Sequence, residues 1–218
     1  MNKSRMPNLR PSIALAATCV FLVLAVVIGV VAWRSTIERR RANRGVAPDT
    51  AVLAALIGTP LDPPRSVNDA ILRDDRNVDT HLLESNARTT LVFFGYTHCP
   101  DACPIALASL GRAYRLLGAT ARARTRIVFV TVDPARDTPT VIGRYARTFD
   151  SHIVALTGDA TTLAGVRDAF GVRLDRGSHE ISHGTTVFAV DRSRDVRVVY
   201  PPDTTAKEFA HDLALLNA

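Results

Sequence analysis

Hydrophobic positions along the chain fall into two regimes. Ile13 to Trp33 run for 21 residues without a charge, rich in Leu, Val, Ile and Ala. At about 1.5 Å of helical rise per residue, that run covers the roughly 30 Å hydrocarbon core of a bilayer. A cleaved leader would be apolar over only ~7–15 residues and would end in a small-residue cleavage site. Here the apolar residues continue past Ala16–Ala17 to Trp33, where an interfacial aromatic belongs. The pattern predicts one uncleaved transmembrane anchor over 13–33, preceded by a short tail, 1–12. Cys19, inside the run, reads as a small apolar residue of that helix.

Beyond the anchor the apolar runs are short and punctuated. Residues 34–64, with Gly45, Pro48, Gly58, Pro60, Pro63 and Pro64, read as a linker holding a helical turn over Ala51–Ile57. From 65 to 218 strand and helix patterns alternate. Thr90–Phe94 and Arg126–Val132 are near-continuous apolar runs, the signature of buried strands. Between them Pro104–Leu117 carries apolar residues at helical spacing. Thr138–Phe149 reads as a second helix, with Thr138 as N-cap and Pro139 at the first helical position. Ile153–Leu156 is a short strand, and Thr161–Phe170 a helix stopped at Gly171. Thr185–Val190 and Val196–Tyr200 read as a hairpin, and Thr204–Leu216 as a closing amphipathic helix. This order predicts an α/β sandwich with a mixed sheet, the layout of a thioredoxin-like domain.

Composition narrows the function. With 47% hydrophobic and 22% charged residues, the chain is neither disordered nor a multi-span membrane protein. The net charge of +6 invites a nucleic-acid reading, but its distribution refuses one. Residues 1–47 hold eight basic side chains against Glu38; the other 171 residues hold 19 basic and 20 acidic ones. The folded part is thus nearly neutral and lacks the electrostatic footprint of nucleic-acid binding. Lys3, Arg5 and Arg10 precede the span, while Arg34 and Arg39–Arg41 follow it. That count favours keeping the C-terminal part inside.

The chemistry concentrates in Phe93-Phe-Gly-Tyr-Thr-His-Cys-Pro-Asp-Ala-Cys-Pro104. A strand ends at Phe94, Gly95 releases the backbone, a loop carries Cys99, and Cys103 stands at the mouth of a helix. Loops at the carboxyl ends of strands are where α/β sheets place ligands. The helix N-terminus is expected to favour the Cys103 thiolate over the thiol. Cysteines four apart on a helical turn bring their Cβ atoms to about 5–6 Å, which suits two sulfurs on one metal ion. A disulfide is also reachable, because Cα atoms up to ~6.8 Å apart can be bridged. The dithiol motif of thioredoxin-type enzymes, C-x-x-C, is one residue shorter. Asp101 reads as a turn former, His98 as an electrostatic neighbour of Cys99 and not a ligand. Asp133, Arg136 and Asp137 read as a brace for the cysteine loop.

Two thiolates under-coordinate most metals, so a third ligand is expected among His81, His98, His152, His179, His183 and His211. His183 directly precedes the strand expected at Thr185–Val190, on the approach that a thioredoxin-like fold packs beside the cysteine loop. His179, four residues earlier, is the alternative. No proline lies between Pro139 and Pro201, so a histidine stands where a thioredoxin-like redox enzyme has its cis-proline.

These features together resemble the Sco/SenC family of copper chaperones: the Phe94–Pro104 motif, Thr131-Val-Asp-Pro-Ala-Arg-Asp-Thr-Pro139, and His183 in order along the chain. The resemblance runs from about Leu61 to Leu216 and includes the single N-terminal anchor. It implies a copper ion on Cys99, Cys103 and His183, and a role in assembling the CuA centre of cytochrome c oxidase subunit II. Soft thiolates suit Cu(I), and an imidazole beside them suits both oxidation states. The resemblance further implies the inner membrane of a bacterium as location, with the domain in the periplasm, against the arginine count. A thiol reductant protein is then an expected partner, since that compartment is oxidising. The alternative is an enzyme, a periplasmic thiol–disulfide reductase using Cys99 and Cys103.

Overall fold

A computed structural model of the chain describes residues 28–29, 50–83, 86–176, 181–183 and 186–218; of 175–176 and 181–183 it describes the backbone. The chain divides into two units, Met1–Arg44 and Gly45–Ala218. The anchor expected over 13–33 lies outside the described residues except for 28–29. Among the described residues no helix is long and apolar enough to cross a membrane.

In chain order the second unit runs α1 (Thr50–Ala55), β1 (Thr59–Ser66), β2 (Ile71–Arg73), β3 (Asp79–His81) and β4 (Thr89–Gly95). There follow α2 (Ala102–Leu116), α3 (Ala119–Ala123), β5 (Thr125–Thr131), α4 (Pro139–Arg147), β6 (Ile153–Leu156) and α5 (Ala160–Phe170). The chain closes with β7 (Leu174–Arg176), β8 (Ile181–His183), β9 (Val187–Asp191), β10 (Asp195–Tyr200) and α6 (Ala206–Leu216). Six strands form one sheet in the order β1-β10-β9-β4-β5-β6. β4, β5 and β6 are parallel, while β9 is antiparallel to both β4 and β10, so the sheet is mixed as expected.

Central position explains the composition of β4. It is paired on both edges, and all seven residues are buried, so no alternation with polar residues is possible. Its register with β5 runs unbroken from Thr89 opposite Thr125 to Gly95 opposite Thr131. That fixes the end of β4 beside the end of β5. Phe93, Phe94, Phe129, Phe170 and Phe188 fill the core around these strands, with Phe94 edge-on to both Phe170 and Phe188.

Three readings need correction. Residues 59–64, expected in the linker, lie in β1, which pairs with β10. β1 is an edge strand, where missing proline N–H groups cost no ladder bonds, and its register shifts between Pro60 and Arg65. The helix expected from Pro104 starts at Ala102, which puts Cys103 within its first turn and Pro104 at its third position. His183 does not lie in a bare approach loop but ends β8, its backbone opposite Leu174 of β7. The helix ends are nearer expectation: Thr138 precedes α4 in extended conformation, and Gly171 closes α5 at φ 73°.

Candidate metal centre

Cys103 packs against Gly95. A Cβ on Gly95 would stand 2.8 Å from Cys103 Sγ and 2.9 Å from the Phe129 ring, so only glycine lets the helix come this close. Cys103 has no solvent exposure, while Cys99 is partly exposed. The Cys103 N–H donates to Cys99 Sγ at 3.4 Å, so the first turn of α2 points a backbone donor at the outer sulfur. The Cys99 N–H in turn donates to the Tyr96 carbonyl at 3.3 Å. Both residues are thiols here, not a disulfide.

The expected Cys103 thiolate is not what the surroundings favour. Burial pushes the Cys103 thiol far above the ordinary range, and Cys99 and Asp137 push it the same way, against a lowering contribution from the Tyr96 backbone. Desolvation in the core outweighs the helix N-terminus. A cation between the sulfurs reverses that balance, because a coordinating thiol loses its proton to the metal.

The loop is held from beneath by Asp137, which is fully buried. It accepts the Thr97 N–H at 3.1 Å, the Thr97 hydroxyl at 2.5 Å and the Thr131 hydroxyl at 2.6 Å. Thr131 Oγ1 itself accepts the Asp133 N–H at 2.9 Å. Arg136 pairs with Asp133 and lies over the Tyr96 ring at 6.0 Å. Asp133, Arg136 and Asp137 are therefore a brace, as expected. Sequence reasoning missed its other half, Thr97 and Thr131. It also missed Tyr145, whose hydroxyl is buried without a hydrogen-bond partner among the described residues. The Tyr145 hydroxyl proton is held by burial and then by the nearby Cys103, Cys99 and Asp137.

The structure brings Cys99 and Cys103 together and leaves the third ligand open. The backbone of His183 is placed in β8, its side chain is outside the description, and His179 and Gly184 lie outside the described residues. Among the described residues no three His, Cys, Asp or Glu side chains are grouped to hold a metal ion. His81 and His152 are committed elsewhere, to Asp69 at 2.7 Å and Asp150 at 2.9 Å. His211 is paired with Asp212 at 2.9 Å.

Comparison with known proteins gives consistent matches. The family model described as SCO1/SenC matches residues 72–217. A SCO2-like protein of Rickettsia prowazekii is 31% identical over 127 residues, 55% of this chain and 62% of that protein. The chain spans a little under two thirds of the length of the first such curated relatives. Apo Sco1 from Thermus thermophilus superposes with a TM-score of 0.65 at 34% identity, covering 73% of this chain and 96% of that one. ScoI from Bradyrhizobium japonicum, solved with copper bound, gives 0.62 at 28% identity, covering 68% and 98%.

Proposed function

The chain belongs to the SCO1/SenC family, and from that premise we propose that it is a membrane-anchored copper metallochaperone with Cys99, Cys103 and His183 as its copper ligands. The observation that carries the reading is the Cys103 N–H bonded to Cys99 Sγ, which holds a buried and a partly exposed cysteine side by side just past the carboxyl end of β4. Paired soft donors select Cu(I), and His183 would add the nitrogen that Cu(II) needs. Copper is the cargo, and its recipient would be the CuA centre of cytochrome c oxidase subunit II or another copper-accepting protein. Residues 13–33 would tether the folded unit, whose first sheet strand begins at Thr59, to the inner membrane of a bacterium, facing the periplasm. There a thiol reductant protein would keep the cysteines able to take Cu(I).

Metal analysis of the detergent-solubilised full chain tests this. Wild type should hold one copper per chain; the Cys99→Ser/Cys103→Ser protein should hold none. The His183→Ala protein should keep Cu(I), which a dithiolate satisfies, and lose Cu(II). Wild-type copper content in the double-serine protein would sink the proposal.

A second reading draws on one observation of its own. The Cys103 N–H donates to Sγ of the accessible Cys99, and a buried thiol stands behind it to resolve a mixed disulfide. That is the arrangement of a thiol–disulfide reductase. Exchange activity that survives His183→Ala while copper binding proves dispensable would favour it.

A further inference from the structure

The sequence reads His98 as an electrostatic neighbour of Cys99 and not a ligand; its hydrogen bonding gives it a different part. His98 is exposed, between the braced Thr97 and the partly exposed Cys99. Its Nδ1 lies 3.0 Å from Thr97 Oγ1, and that same hydroxyl donates to Asp137 Oδ1 at 2.5 Å. A hydroxyl has one hydrogen, and this one is committed to a carboxylate that already accepts the Thr97 N–H and the Thr131 hydroxyl. Toward His98 the Thr97 oxygen can only accept, so the ring proton sits on Nδ1. A neutral His98 then keeps its lone pair on Nε2, across the ring. A histidine whose second nitrogen is fixed through a hydrogen bond backed by a carboxylate is set up as a metal ligand.

Burial is graded along the same loop: His98 exposed, Cys99 partly exposed, Cys103 without exposure. A copper ion passed from a donor must exchange ligands one at a time, and the buried sulfur cannot be the first to reach it. Resting on the copper-carrying reading above, we propose that His98 Nε2 is the landing ligand for copper on its way to Cys99 and Cys103. A donor–Cu(I) bond breaks as the Nε2–Cu(I) bond forms. Cys99 and then Cys103 bind the ion, their thiol protons pass to solvent, and the imidazole leaves; copper stays Cu(I) throughout.

The test uses the reduced full chain in detergent, with Cu(I) supplied as its bathocuproine disulfonate complex. Stopped-flow transfer into His98→Ala should be slower by about tenfold than into wild type, with equilibrium affinity kept within about twofold. An unchanged transfer rate overturns the proposal. So does a loss of equilibrium affinity as large as that of Cys99→Ser, which would make His98 a resident ligand. If Cys99→Ser/Cys103→Ser takes up copper like wild type, the copper reading itself fails, whatever His98 does. Two-bond proton–nitrogen correlation of the ¹⁵N-histidine-labelled metal-free chain at alkaline pH supplies a readout independent of copper. It should show His98 protonated on Nδ1; a proton on Nε2 would contradict the assigned relay.

Discussion

At the scale of single residues, Cys99 and Cys103 share a motif but not an environment. Cys103 is sealed in the core, where burial holds its proton, while Cys99 is partly exposed and receives a backbone N–H. Iodoacetamide at neutral pH should therefore alkylate Cys99 of the metal-free protein well before Cys103. Peptide mass spectrometry reads the order, and equal labelling would contradict it. Asp137 carries a second prediction. Asp137→Asn keeps the shape but replaces an acceptor oxygen by an NH₂ group beside donors that are themselves buried or part-buried. It should cost roughly 1–3 kcal/mol of stability by chemical denaturation, the range for leaving a buried polar group unsatisfied. Copper affinity should fall with it. The sequence made Cys99, Cys103 and the Asp133–Asp137 brace legible, because each sits in a short motif of unusual composition. It hid Thr97 and Thr131, since threonines that pair across 40 and 6 residues look like ordinary strand and turn residues until β4 and β5 are aligned.

At the scale of elements, the join between α2 and the turn before β6 is tight and electrostatically pinned. A Cβ on Gly111 would lie 2.9 Å from Asp150 Cβ and 3.1 Å from the Phe149 carbonyl oxygen. Gly111→Ala should therefore destabilise, although alanine gains about 1 kcal/mol of helix propensity over glycine. A lowered thermal midpoint confirms the contact; a raised one refutes it. Burial pushes the Asp150 carboxyl up, but bonds from the His152 N–H, the His152 ring and Arg115 together hold it below the usual carboxylate range. A depressed folded pKa gives stability that is present above the unfolded value of about 3.9 and lost as pH falls below it. Asp150→Asn should accordingly lower stability at neutral pH and flatten its decline in acid. The periodicity reading found α2, α4, α5, α6 and the central strands to within a few residues. It missed β3 and the β7–β8 pair, because three-residue strands are too short for a pattern of period two to register. It missed β1 because prolines mask an edge strand.

At the scale of the whole molecule, the second unit is closed by a tie between its first sheet strand and its last helix. Asp212 of α6 has no exposure and accepts the Ile57 N–H at 3.0 Å and the Gly58 N–H at 2.9 Å, fastening the approach to β1 onto the last helix. Asp212→Ala strands two backbone donors and should cost on the order of 3 kcal/mol, measured as a shift in denaturation midpoint. Placement of the domain outside the cytoplasmic membrane is a separate claim, against the arginines that follow the apolar run. A C-terminal alkaline phosphatase fusion should be active; inactive phosphatase with fluorescence from a cytoplasm-only reporter would reverse it. Most direct of all is copper-edge X-ray absorption on the loaded full chain beside its His183→Ala variant. Two sulfur scatterers should appear at short range in both proteins, and one nitrogen scatterer in wild type should disappear in the variant. A copper environment of nitrogen and oxygen alone, or a wild-type spectrum from the variant, would contradict the three-ligand site.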